Sequence, residues 1–226
     1  MWFDIARLPD PEYRRETQLR GLAESAAQLD PLVREEARKV GARNVILGGI
    51  SNGSAMSMAL LLAIGAEMSL GGYIGLCSYL PYQRDIMEAV TGKGIGQEDE
   101  ILGEENPFGG DDDGDEAEKS PTAKAMEFVR DLLDMESLPS EVTEQQTPQG
   151  LPPVFLGHGA LDEKKPPALG EAAADTLRAC GFQVTWKLYP ELGHWYQVPE
   201  EIDDIVKFVE SRVGWKIVRY SLMDGS

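Results

Sequence analysis

The feature that most constrains this chain is a run of some twenty residues in its first third. Asn44 to Gly49 (NVILGG) is a short apolar stretch bounded by turn residues, and it reads as a buried strand. Gly49-Ile50-Ser51-Asn52-Gly53 follows as a tight glycine turn. Ser54 to Ala66 (SAMSMALLLAIGA) then starts at once as a largely apolar helix. A strand that turns directly into a core helix calls for a layered α/β packing.

The flanking segments extend that pattern. Leu19, Leu22, Ala26, Leu29, Val33, Ala37 and Val40 recur at spacings of three and four, which predicts one buried helical face, kinked or split at Pro31. Gly72 to Cys77 and Pro153 to Gly157 read as further strands. Gln183 to Leu188 alternates, with Val184, Trp186 and Leu188 on one side, as suits a strand near a sheet edge. Pro167 to Cys180 reads as a helix with Leu169, Ala173, Leu177 and Cys180 on one face. Pro199 to Val213 reads as another, through Ile202, Ile205, Val206, Val209 and Val213. Strands alternating with helices predict an α/β fold with a mainly parallel sheet and flanking helices, as a single domain over residues 1–226.

Charge interrupts this pattern. The chain carries a net −18, and −14 of it falls between Gln97 and Thr147. We read 92–150 as an acidic, partly disordered insertion, in which Thr122 to Glu136 forms a short amphipathic helix through Ala125, Phe128, Val129, Leu132 and Leu133. Asp111, Asp113 and Asp115 match the start of a calcium-binding loop, but Glu116 replaces its glycine and Thr122 its final glutamate. A solvated acidic loop is the better reading, and no metal or cofactor is called for. The negative charge disfavours nucleic acid and anionic membranes as partners. The longest apolar stretch, Ala55 to Ala66, is too short for a bilayer span, so stable membrane insertion is not expected. With no signal peptide visible at Met1-Trp2-Phe3-Asp4, the expected location is cytoplasmic. Cys77 and Cys180 read as buried thiols, with a disulfide between them left open. The sequon Asn52-Gly53-Ser54 lies inside the turn-helix junction and is discarded.

The chemistry-bearing residues come in a fixed order. Gly49 to Gly53 fits Gly-x-Ser-x-Gly, in which a strained turn presents a nucleophilic serine. Taken alone, the pattern fits a glycine-rich turn of no chemical role equally well. Its partners favour the functional reading. His194 lies after the alternating strand and before the last helix, and Asp162 lies just past another strand end. The order serine, acid, histidine is that of a hydrolase triad. His158 directly follows its strand and reads as a packing residue. Glu163 competes with Asp162 as the acid.

These motifs resemble the phospholipase/carboxylesterase family of α/β-hydrolases, which includes the acyl-protein thioesterases. Trp2-Phe3-Asp4-Ile5 resembles its "WFD" segment, and Gly48 to Met56 its "GGFSQGGA" elbow. Cys77-Ser78-Tyr79-Leu80-Pro81 is similar to its "S-x-W/Y-L-P" strand end. Pro153 to Asp162 and Tyr189 to His194 are similar to the segments carrying its acid and histidine. The resemblance covers most of the chain outside the acidic insertion and the tail from Gly214.

It implies Ser51 as nucleophile, His194 as general base and Asp162, rather than Glu163, as orienting acid. The backbone N–H of Asn52 is the implied oxyanion donor, and Leu80 and Pro81 are implied to line the substrate site. The implied substrates are acylated proteins, small esters or lysolipids. The family's first strands and its His-Gly-x-Gly-Asp loop, source of a second oxyanion donor, have no counterpart here. The sequence therefore reads as N-terminally truncated relative to the family, with one edge of Val45 to Leu47 exposed and a homodimer possible there. A non-catalytic remnant and an acidic interaction module are the alternatives.

Overall fold

The computed structural model describes residues 2–92, 119–138 and 150–216. Four parallel strands form one sheet in the order β1-β2-β3-β4: β1 (Ile46–Ile50), β2 (Gly72–Leu76), β3 (Val154–Gly159) and β4 (Val184–Tyr189). The helices are α1 (Leu19–Val40), α2 (Asn52–Ile64), α3 (Gln83–Thr91), α4 (Pro121–Leu132), α5 (Pro167–Ala179) and α6 (Glu200–Phe208). The α/β reading with a parallel sheet and flanking helices holds.

The sheet is covered on both faces, which is what parallel strands require. Because side chains alternate along a strand, Tyr73, Val154 and Leu156 enter the larger core with α1 to α5. Ile74, Leu76 and Phe155 point the other way, toward Phe208 and Val209 at the end of α6. Helix α2 lies in the middle of the larger core, and every residue from Ser54 to Ile64 is buried. A helix apolar all round has no solvated face to offer, so it can exist only between layers. Its buried hydroxyls are satisfied locally: Tyr73 donates to the Ser54 carbonyl at 2.8 Å, with the Ser54 and Ser57 hydroxyls at 3.0 and 3.1 Å.

Several expectations shift. Helix α1 runs unbroken through Pro31 for 22 residues, with its buried face made of Leu22, Ser25, Ala26, Val33 and Ala37. Leu19 and Val40, expected on that face, are exposed at its ends. On β4, Leu188 is exposed, and the strand is only partly covered until Tyr189 at its end is buried. Ile202 is likewise exposed, and Glu201 and Phe208 are buried in its stead. Helix α3 was not anticipated.

The helix expected within the acidic insertion exists as α4, started by Ser120, whose Oγ accepts from the Ala123 N–H at 3.2 Å. It buries Ala125, Met126, Val129 and Leu133, which makes it part of the main core rather than an appendage. The aspartate run 111–116, tested above for calcium, lies outside the described residues, as does the tail from 217. Trp215, within the segment left without a reading, packs on the second core. Among the described residues, β1 pairs only with β2, so its outer edge has no partner strand. No helix among them is long and apolar enough to cross a membrane. Both cysteines are buried and free.

Candidate active site

Each of the four strands delivers one residue to the same point just past its C-terminal end: Ser51 after β1, Cys77 after β2, Asp162 after β3 and His194 after β4. This is the edge where parallel α/β sheets carry their sites, because loops there converge and helices point their N-termini at them.

Ser51 occupies the turn between β1 and α2 with φ 54° and ψ −126°, a region that non-glycine residues avoid. The ladder holds it there, since its N–H donates to the Leu76 carbonyl at 2.9 Å and its own carbonyl accepts from Ala55 at 3.0 Å. The glycines around it explain why the turn can close. A Cβ on Gly49 would fall 2.5 Å from the Gly53 carbonyl carbon, and one on Gly53 would meet the Trp2 indole nitrogen at 3.1 Å. The strain at Ser51 is therefore enforced by packing on both sides.

The histidine arrives by a similar close approach. A Cβ on Gly159 would lie 2.2 Å from the Leu192 carbonyl oxygen, so only glycine lets the His194 loop press against the end of β3. His194 Nδ1 is 2.8 Å from Asp162 Oδ2, and its Nε2 is 3.0 Å from Ser51 Oγ. A carboxylate only accepts, so Nδ1 carries the proton and Nε2 presents a lone pair to the serine hydroxyl. Asp162 is fixed in turn by the backbone: its Oδ1 accepts from the Lys164 and Lys165 N–H groups at 2.9 and 2.8 Å.

His158 is fully buried beneath this site. Its Nε2 donates to the Lys165 carbonyl at 2.8 Å, with Asp162 Oδ2 at 3.3 Å. Burial lowers its pKa, which keeps the ring neutral. Gly170 makes room for it, since a Cβ there would fall 2.4 Å from His158 Nδ1. That matches the packing role read for His158. Glu163, the competing acid, is exposed and makes no such contact among the described residues, whereas Asp162 is the carboxylate beside His194.

Two residues near the site gave no readable signal of their place in it. Cys77, with φ 48°, donates its thiol to the Trp195 carbonyl at 3.0 Å, and burial pushes its pKa up to about 12. It is thus held as a neutral thiol. Lys165 is fully buried, its ammonium 4.2 Å from the Tyr79 ring centroid and without a hydrogen-bond partner among the described residues. Its pKa falls to about 8 because burial disfavours the charged form. The sequence placed Cys77 at a strand end without a role and did not mark Lys165; parallel register sets Cys77 beside the other strand ends, and the Asp162 loop carries Lys165.

Asn52 opens α2 with its backbone N–H at the helix N-terminus, beside Ser51. Leu80 and Pro81 are both buried, Leu80 within the main core. Leu161 and Trp195, neighbours in sequence of the acid and the histidine, are exposed by 59% and 58%, which puts apolar surface at the rim.

A parallel sheet with a strained serine turn after one strand and a histidine and acid after later ones is an α/β-hydrolase arrangement. Residues 1–102 match a family described as phospholipase/carboxylesterase. An acyl-protein thioesterase 1 of Gibberella zeae is 26% identical over 216 residues, covering 94% of this chain and 68% of that protein. The corresponding protein of Neurospora crassa is 24% identical, covering 94% of this chain and 65% of its own length. That of Yarrowia lipolytica is 32% identical over 87 residues, 38% of this chain and 37% of that protein. The chain thus spans about two thirds of the longer-matching relatives. Among solved structures, Arabidopsis thaliana SOBER1 superposes with TM-score 0.58 at 18% identity, over 94% of this chain and 73% of that one. Zea mays acyl-protein thioesterase 2 does so with TM-score 0.53 at 21% identity, over 94% and 72%. In sequence and in fold, the chain resembles the phospholipase/carboxylesterase family of α/β-hydrolases.

Proposed function

We propose that the protein is a serine hydrolase that cleaves carboxylic esters or thioesters through an acyl-enzyme. The observation that carries this is the continuous path Ser51 Oγ, His194 Nε2, His194 Nδ1, Asp162 Oδ2, with both links at hydrogen-bond distance. In this reading Ser51 Oγ attacks the acyl carbonyl carbon while His194 Nε2 takes its proton. Asp162 holds the ring in the required tautomer and balances the imidazolium. His194 then returns the proton to the departing alkoxide or thiolate, leaving the acyl group on Ser51. Water, deprotonated by the same nitrogen, releases the acid. The Asn52 N–H faces the developing oxyanion, where one such donor is worth about 3 kcal/mol.

The names of the relatives favour acylated proteins as the substrate class, with small esters and lysolipids in reach of the same chemistry. The exposed Leu161 and Trp195 beside the triad suit an acyl chain, and Leu80 and Pro81 would shape the site from beneath. The test is fluorophosphonate labelling of the purified chain. Ser51→Ala is expected to abolish labelling and ester hydrolysis. Unchanged hydrolysis by that variant would refute the reading, and a folded wild type that takes no label would leave only a non-catalytic, acyl-binding role.

A further inference from the structure

Cys77 has no part in the acyl transfer described above, yet β2 sets it within the triad. Its Sγ, an Asp162 carboxylate oxygen and a His194 ring nitrogen all lie within 4.8 Å of one another. We propose that these three residues form an inhibitory binding site for Zn2+.

The donor set is one sulfur, one nitrogen and one oxygen, the mixture that zinc accepts with a fourth position left open. Zinc bond lengths of about 2.0–2.3 Å place tetrahedral donors about 3.2–3.6 Å apart. The His194 Nδ1–Asp162 Oδ2 pair, at 2.8 Å, opens by about 0.5 Å to take the ion, and the Cys77 thiol, within 4.8 Å of the other two donors, moves in by about 1 Å. Charge also balances. A thiolate and a carboxylate neutralise the dication, so the occupied site is electrically neutral in a buried setting. Cys77 and the Asp162 side chain are fully buried, while the His194 ring keeps 15% of its surface in contact with solvent and gives the ion its way in.

Binding proceeds with a defined proton balance. The thiol proton leaves Cys77 for solvent as the S–Zn bond forms. When His194 Nδ1 ligates zinc, the proton it carried moves to Nε2. That nitrogen then faces Ser51 with an N–H instead of a lone pair and cannot accept the hydroxyl proton. Ligation through Nε2 would occupy the same lone pair directly. Either way the ion locks the imidazole in a form that cannot act as base.

The inhibitory effect rests on the proposed role of His194, whereas the metal site does not. The experiment therefore has two readouts on the full chain. Titration with Co2+ as a spectroscopic stand-in is expected to give a near-ultraviolet thiolate-to-metal charge-transfer band that saturates at about one ion per chain and is bleached by Zn2+. Carboxylates elsewhere in this acidic chain cannot produce that band. It should persist in Cys180→Ala and vanish in Cys77→Ala, with Cys77→Ser as the isosteric control for folding. Zn2+ should also slow fluorophosphonate labelling, reversibly with EDTA, and Cys77→Ala, with each rate taken relative to that variant's own metal-free rate, should lose more than about tenfold in zinc sensitivity. Absence of the band, or equal zinc sensitivity in Cys77→Ala, would overturn the proposal. If the metal-free protein takes no label, the hydrolase reading fails, and the Co2+ band alone decides the metal site.

Discussion

Lys165 shows what a single buried group costs and how it reports on pH. Its ammonium rests on the Tyr79 ring, is fully buried and lacks a hydrogen bond among the described residues, so cation–π attraction and the nearby Asp162 carboxylate are what offset its burial. Between about 8 and 10.5 the unfolded chain holds this proton and the folded protein does not. More protons on the unfolded state means that stability rises with pH across that window, and that the full penalty is present below it. Lys165→Met is expected to stabilise the protein at pH 7 by about 2 kcal/mol in urea unfolding and to flatten the rise between pH 8 and 10.5. A variant with the wild-type slope would show that the amine is solvated in the native state.

At the scale of elements, the β1–turn–α2 unit makes the site possible. Helix α2 is held so near β1 that the backbone at Gly53 and Ser54 fills the space where a side chain on Gly49 would stand. Gly49→Ala must push the helix from the strand or tilt the turn. The expected result is a loss of about 1–3 kcal/mol in stability. Fluorophosphonate labelling should fall about 100-fold, because a displacement near 1 Å breaks the Ser51–His194 alignment. Labelling at the wild-type rate would mean that the turn tolerates the displacement and that its tight geometry is not what positions Ser51.

Across the whole molecule, one ion-pair network ties the helix that emerges from the acidic stretch to the rest. Arg34 of α1 grips Glu67, just past α2, with two bonds of 2.6 and 2.9 Å. Arg130 of α4 lies 3.7 Å from the same carboxylate, is almost fully buried, and donates to the carbonyls of Ala63 and Glu136. The bonds from Arg34 hold the Glu67 pKa below its ordinary 4.5, against the opposing effect of burial. A lowered carboxylate contributes stability above its ordinary pKa and loses it as pH falls through the folded value. Glu67→Gln should therefore lower stability by about 2 kcal/mol at pH 7, and the gap to wild type should close as pH drops below 4.5. A gap that persists at pH 3 would assign the effect to packing rather than charge.

The amino-acid sequence by itself determined the alternation of strands and helices, because periods of two and of three to four report which faces are buried. It also marked Ser51, Asp162 and His194, since each sits at a junction whose glycine or strand-end context can be read locally. The helix at 121–132 was legible from its apolar spacing, but its membership of the main core was not. That depends on what α2 and α3 place opposite Val129 and Met126. Exposure at Leu188 and Ile202 was likewise outside what local periodicity could decide. The residues alone left Glu163 open beside Asp162, and tertiary structure sets the Asp162 carboxylate 2.8 Å from His194 Nδ1, because adjacent residues differ in direction and not in chemistry. It alone gathered Cys77 and Lys165 at the site. Cys77 follows β2, and the register of parallel strands, a long-range pairing with no local signature, sets its thiol within 4.8 Å of Asp162 and His194, while the Lys165 ammonium meets the Tyr79 ring that also follows β2.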